Sequence, residues 1–414
     1  MRFSIIIPTF NRAPFIGQAI ESALSQTYGG SEVIVVDDGS TDDTKSVVAK
    51  YGEAVRYLRQ DNSGKATAMN RGMDAAEGDV FLVLDDDDVF PVSSVASHAR
   101  ALRENPGANF TYGRYASFKG MSAPTAATPL VHHEYPNRDP RRLVVKLMEH
   151  CFLSNPSWAV RREAHIRTGP YNTALHRSQD FDMILRLART NDGVLVDDLV
   201  FFQRTHSGWR GPLSDRTFSV HTLDGWIKYN KLIFENIDRT WQLSDFAPFA
   251  QTGVAEPEIE AALPWLQKGV ILFLRKQYAG ADVAMREYRE RLGDRQPSDL
   301  EVGIASGLLS GDYNINELIA AGPERTAAIQ SLRSGNWPIR MRMAFAANMR
   351  WRIRQALTYR NVKTARSQIT FLSEAFGGMT TLAALVIRLD AAARNWRGDV
   401  TDGRNWQSLV ARSF

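Results

Sequence analysis

The 414-residue chain is 44% hydrophobic and 23% charged, with a formal net charge of +4. This excludes a disordered or fibrous protein and leaves room for two domains, since one core rarely grows past about 250 to 300 residues. Its one cysteine, Cys151, cannot form an internal disulfide, and no run approaches the roughly 18 uncharged apolar residues of a membrane span.

The opening stretch "MRFSIIIPTFNR" is too short in apolar residues for a signal peptide and is interrupted by Pro8, so the expected location is cytoplasmic, soluble or peripheral at the inner face of a membrane. That stretch reads instead as a first strand over 3–9, near-continuously apolar as expected of a strand covered on both faces. Residues 14–26 place Phe15, Ile16, Ala19, Ile20, Ala23 and Leu24 at helical spacing, with Pro14 in the first turn. A second strand over 32–40 runs into a turn. Ser40 and Asp43 then fit a capping box ahead of a helix over 43–51. A strand over 55–60, a helix over 65–76 and a strand over 79–85 follow. This alternation predicts parallel strands joined by crossover helices. The polar residues Thr9, Asn11, Asp37, Asp38 and Asp85 to Asp88 all fall at carboxyl ends of strands, where open parallel sheets bind ligands.

Farther on, 109–119 reads as a strand, 139–151 and 178–190 as helices, and 157–205 as a mixed segment. Beyond residue 215 the strand signals fade and helical periodicity dominates. The predicted domains are 1–215 and 216–414. Charge divides along the same line: residues 1–215 carry 24 Lys and Arg against 26 Asp and Glu, and the remainder 26 against 20. Within the basic half, segment 337–363 holds seven basic residues and no acidic one. Trp337, Met341, Phe345, Met349 and Trp351 lie on a helix there. The segment suits an anionic membrane surface or, as an ordinary alternative, packs on the catalytic domain with its arginines in water.

Four consecutive carboxylates, Asp85 to Asp88, end the apolar run "VFLVL". Two charges roughly 4 Å apart repel by about 1 kcal/mol in water and about 4 kcal/mol at an effective dielectric of 20. Either solvent or a divalent cation offsets that repulsion.

Taken together, "SIIIPTFNRAPFIGQAIESALSQTYGGSEVIVVDDGSTDDT", "DNSGKATAMNRGMDAAEGDVFLVLDDDD" and "RSQDFDMILRLA" resemble the family 2 glycosyltransferases over about the first 210 residues. The resemblance implies a GT-A fold, a Rossmann-like, mostly parallel sheet flanked by helices, here followed by a mainly α-helical C-terminal domain. It also implies inverting transfer of a hexose-type sugar from a nucleotide-sugar, of the UDP class, to a saccharide or glycoconjugate hydroxyl in polysaccharide or glycoconjugate synthesis. Mn²⁺ or Mg²⁺, held by the Asp-x-Asp motif, would be the cofactor. By that match Asp87 contacts the metal, and Asp85 holds the ribose or the metal's water shell. Asp86 and the early Pro91 depart from the family pattern, which leaves Asp85 with Asp87, or Asp86 with Asp88, as the working pair. Asp38 matches the acceptor of the uracil N3–H, while Pro8, Thr9, Asn11 and Arg12 match the loop around base and ribose. Met69 stands where the family carries an arginine, so Lys65 or Arg71 would supply the charge toward the diphosphate. Asp180 matches the general base, with Gln179 in place of the usual glutamate, and Asp182 pairs with Arg186 or caps its helix. His206 matches a histidine near metal and diphosphate. Trp209 and Arg210 either close over the donor or pack at a hinge, and His132 and His133 are read as non-metal.

A nucleotidyltransferase would carry a glycine-rich basic loop after the first strand, and "PTFNRAP" has none. A decayed nucleotide-sugar-binding or scaffold protein remains the alternative function, against which Asp38, Asp87 and Asp180 stand together. No nucleic-acid-binding module is recognisable.

Overall fold

Runs of Ile and Val form strands because their branched side chains pack well on a pleated surface. The computed structural model describes residues 1–133, 135, 141–205, 209–210, 217–218, 222–250, 253, 255–309, 322–334, 336–358 and 361–376. Strands β1 (Phe3–Thr9), β2 (Ser31–Asp37), β3 (Arg56–Arg59) and β4 (Val80–Val83) are mutually parallel, with Ile6 opposite both Ile34 and Val83. Helices α1 (Ala13–Leu24), α2 (Thr44–Ala49) and α3 (Lys65–Ala75) make the crossovers. Gly72 lets α3 lie close on the sheet, since a Cβ there would stand 2.4 Å from Ile6 Cγ2.

The cap of α2 differs from expectation. Asp43 makes no side-chain cap bond, and the Asp42 carboxylate instead accepts from the Thr44 N–H at 3.0 Å. Asp42 reaches back to that amide as an Asx turn does, displacing the spacing-based choice of Ser40 and Asp43.

After α4 (Ser94–Glu104) come β5 (Phe110–Lys119), β6 (Val131–His132), α5 (Leu143–Glu149), β7 (Trp158–Arg161), α6 (Arg162–Thr168), α7 (Gln179–Thr190) and β8 (Gly193–Thr205). The sheet order is β3-β2-β1-β4-β7-β5-β6, with β8 beside β5. Strand β7 runs antiparallel between β4 and β5, and β6 antiparallel to β5, so the eight-stranded sheet is mixed, with parallel pairing among β1 to β4 and again between β5 and β8. Strand order reverses between β1 and β4, which creates a switch point at the carboxyl ends of those two strands. Ile5, Ile7, Ile16, Ile20, Val35, Leu82 and Val95 form the core beneath it.

The chain divides into units Met1–Asn230 and Lys231–Phe414, within helix α8 (Thr222–Thr240) rather than near 215. The second unit is helical throughout its described elements. In its helix Ile339–Thr358, Met341, Phe345, Met349 and Ile353 form one stripe, buried with Trp337 in the unit's own core. These five side chains are therefore packed within the second unit itself. The side chain of Trp351 lies outside the described residues. No described helix is long and apolar enough to cross a membrane.

Candidate functional site

At the switch point β1 ends in Thr9, buried, with its hydroxyl close enough to Asp86 to favour the carboxylate yet without a hydrogen bond of ordinary geometry. Pro8 is buried inside β1 opposite Val36. It carries no N–H and keeps its backbone carbonyl as an acceptor. Asn11 adopts a left-handed φ of 53°, a conformation asparagine tolerates better than most residues. Its Oδ1 accepts from the Thr41 N–H at 2.8 Å, and its own N–H donates to Ser40 Oγ at 2.9 Å, tying the β1 and β2 loops together.

Asp37 is wholly buried and accepts from the Ser40 N–H and the Tyr57 hydroxyl. Asp38 accepts from Gln60 Nε2, the Ser63 N–H and the Gly64 N–H, each at 2.8 Å, and so shapes the loop that opens α3. Gly39, at φ +83°, makes this turn possible, because a Cβ would stand 2.9 Å from Asn62 N.

The acidic turn after β4 closes with an Asp88 N–H to Asp85 carbonyl bond at 3.0 Å, and Val89 bridges to Phe202 of β8. One oxygen each of Asp85, Asp87 and Asp88 lie within 4.8 Å of one another. The structure thus brings Asp85 and Asp87, one of the two expected pairs, together with Asp88, and leaves Asp86 out of the group. Asp86 turns to Arg12 Nε at 3.4 Å, and Arg12 Nη2 stands 3.9 Å from Asp87. Burial pushes Asp86 up to about 7 against the pull of Arg12. For Asp88, burial and repulsion from Asp87 and Asp85 push the carboxyl well above the usual range, although the Arg204 N–H favours its charge.

Lys65, at the first turn of α3, pairs with Asp85 at 2.7 Å. Burial opposes its charge, and the fields of Asp85 and then Asp180 outweigh that and raise it. Arg71 instead donates to the Arg59 carbonyl at 2.7 Å. Of the two cations expected near a diphosphate, Lys65 is the one on this rim. Asp180 opens α7 and accepts from the Phe181 N–H at 2.9 Å. Its carboxyl is raised by burial first, then lowered by Lys65 and raised by Asp85, which places the three groups in one electrostatic neighbourhood. The preceding Ser178 holds a left-handed φ of 58°. Asp182 pairs with Arg186, at 2.8 Å to Nη2. His133 stacks on Tyr115 and bonds Ser117, away from any metal cluster of the described residues. His206 lies outside the described residues, as do the side chains of Trp209 and Arg210.

Motifs alone do not single out Arg204 and Tyr171. Tyr171 is buried near Asp180, its hydroxyl donating to Asn155 Oδ1 at 2.8 Å and its backbone bracketed by Asn70. Arg204 is 1% exposed beneath the acidic turn. Its one signal in the sequence is a lone cation in the apolar strand end "LVFFQRT". Among the described residues, five carboxylates (Asp85, Asp86, Asp87, Asp88, Asp180) stand near three cations (Arg12, Lys65, Arg204), leaving two negative charges when all are ionised. A divalent cation matches that surplus.

Comparison with known proteins matches residues 4–169 to the family described as "Glycosyl transferase family 2". An uncharacterized glycosyltransferase of Rickettsia felis is 30% identical over 213 residues, covering 49% of this chain and 34% of that protein. Another, of Haemophilus influenzae, is 30% identical over 190 residues, covering 44% and 61%. The chain thus spans about a third of the length of the first relative. Among solved structures, S. aureus TarS 1–349 in complex with UDP-GlcNAc aligns at 15% identity and a TM-score of 0.49, over 81% of this chain and 90% of that one.

Proposed function

We propose, from the premise that residues 4–169 belong to glycosyl transferase family 2, that the chain transfers a sugar from a nucleotide-diphosphate donor, of the UDP class, to an acceptor hydroxyl with inversion. The observation that carries this reading is the single rim at which the Asp85, Asp87 and Asp88 carboxylates, the Lys65 ammonium and Asp180 come together. Asp87, with Asp85 and Asp88, would hold Mn²⁺ or Mg²⁺, hard cations that prefer carboxylate, phosphate and water oxygens. Such an ion, when bound, supplies Lewis-acid stabilisation for charge on the departing diphosphate.

The chain's own groups do the rest. Asp180 accepts the proton of the acceptor hydroxyl as that oxygen bonds to the anomeric carbon and the bond to the diphosphate oxygen breaks on the opposite face. Lys65 favours the charged form of Asp180, which keeps it able to accept. The raised carboxyl is a stronger base than an ordinary aspartate, as general-base action requires. Asp38 uses three of its roughly four acceptor sites on the loop between β3 and α3, and the remaining one suits the uracil N3–H. The acceptor is a saccharide or glycoconjugate.

A panel of nucleotide sugars, assayed for transfer and hydrolysis in Mn²⁺ and in excess chelator, tests this reading. Turnover of a uridine donor only with metal is expected. Full turnover in chelator removes the metal role, and donor binding without turnover selects the decayed binding protein instead. Tighter binding of guanosine diphosphate than uridine diphosphate overturns the assignment of Asp38.

A further inference from the structure

The side chain of Arg204 lies between the rings of Phe15 and Phe118, with its guanidinium carbon 5.1 and 4.6 Å from their centroids. Its fork reaches three different segments: Nε donates to the Asp87 carbonyl at 2.8 Å, Nη1 to the Gly120 and Ser122 carbonyls at 2.6 and 3.1 Å, and Nη2 to Gln18 Oε1 at 2.9 Å. All of these acceptors are neutral. Its backbone N–H donates to Asp88 Oδ1 at 2.8 Å. Gln18 in turn donates to the Met121 carbonyl at 2.8 Å. Three successive carbonyls, Gly120 to Ser122, are therefore gathered onto one buried fork and its helical partner.

This arrangement differs from those of Arg12 and Lys65, which pair directly with carboxylates. Arg204 fixes the backbone of Asp87 and the carboxylate of Asp88 without placing its guanidinium on either carboxylate. Arginine suits the task because its rigid fork engages several acceptors at once, which a lysine cannot do.

We propose that Arg204 is a positioning residue that sets the spacing of the Asp87 and Asp88 oxygens for a divalent cation and couples that spacing to the loop 120–122 beyond β5. The first half rests on the metal reading above; the loop coupling does not.

The two roles open to a buried cation predict opposite signs. A positive charge acting only through space repels an incoming cation, so its removal would tighten metal binding. A positioning group does the reverse, and loss of such support behind metal ligands typically weakens affinity by about 10- to 100-fold. Manganese binding to the full chain, followed by electron paramagnetic resonance, is measured for the wild type, Arg204→Met and Arg204→Lys, with circular dichroism to confirm folding. Both variants are expected to bind Mn²⁺ at least about tenfold more weakly, Arg204→Lys included because it keeps the charge and loses the fork. Amide exchange at 120–124 should quicken in both. Folded variants that bind Mn²⁺ within twofold of wild type, or more tightly, overturn the positioning role.

Gln18→Met covers the case in which the Arg204 variants do not fold. It removes one acceptor of the fork and the bond to Met121, so weaker Mn²⁺ binding and faster exchange at 120–124 are expected, and no change in either refutes the coupling. A wild type that binds no Mn²⁺ sinks the metal reading itself, and exchange at 120–124 then decides the loop coupling on its own.

Discussion

Neutralising Asp87 should stabilise the metal-free protein and abolish its response to metal. The Asp85 and Asp88 oxygens lie within 4.8 Å of that of Asp87, so at a pH high enough to ionise the raised Asp88 carboxyl, where the melts below are run, each pair repels by at least about 3.5 kcal/mol at an effective dielectric of 20. Against this, the contact of Asp87 with Arg12 Nη2 at 3.9 Å is worth about 4 kcal/mol on the same scale. Asp87→Asn therefore removes more repulsion than attraction. The difference is about 3 kcal/mol, reduced to roughly 1 to 2 kcal/mol by the field of Arg204 and by solvent and salt. A domain of about 150 to 250 residues shifts its Tm by about 2 to 4 °C per kcal/mol. Thermal unfolding in chelator should thus show the variant melting about 2 to 8 °C above wild type. In Mn²⁺ the order reverses, because saturation at 100 times Kd stabilises the wild type by about 2.7 kcal/mol and the variant gains little. Circular dichroism melts with chelator and with Mn²⁺ read both effects. A variant that melts below wild type in chelator, or gains as much from Mn²⁺, refutes the charge argument.

Two further outcomes are accessible to standard assays. Asp180→Asn should lose about 10²- to 10⁴-fold in transfer rate while retaining calorimetric donor affinity, and normal turnover removes Asp180 as the base. Burial pushes His98 down to about 3 and His165 down to about 4, so both are held neutral in the fold and protonate first in the unfolded chain. Their contribution to stability is complete above the unfolded value near 6.5 and is lost as pH falls toward their folded values, by up to about 1.4 kcal/mol per pH unit for each. Asp86 and Asp88, raised in the fold, contribute a slope of opposite sign over the same window, so the test is the difference between wild type and His98→Asn. Denaturant unfolding between pH 7 and 5 should show the variant losing less stability as pH falls, and identical pH dependence of the two proteins refutes it.

Several features were legible in the residues because their signals are local. The strands 3–9 and 79–85 announce themselves as apolar runs, the helix over 178–190 by its period, and the Asp182 to Arg186 pair by spacing alone. The four aspartates were visible as an anomaly for the same reason, since like charges side by side need a counter-charge wherever they lie. The antiparallel insertion of β7 was not legible, because its residues Trp158–Arg161 read as an apolar run without direction, and strand direction is set by which edge remains to be paired.

The sequence by itself carried the resemblance of about the first 210 residues to the family 2 glycosyltransferases, the rim on which the polar residues gather and the helical character of the second unit, all of which follow from short-range pattern and motif. Only the tertiary structure decided how the aspartates divide their labour. Asp86 faces Arg12, separated from it by 74 positions, Asp85 faces Lys65, and Asp88 takes the backbone N–H of Arg204. Those partners are brought in by the crossover from β1, by the start of α3 and by β8. The group that settles each carboxylate comes from a different element, and proximity of that kind exists only once the sheet has closed.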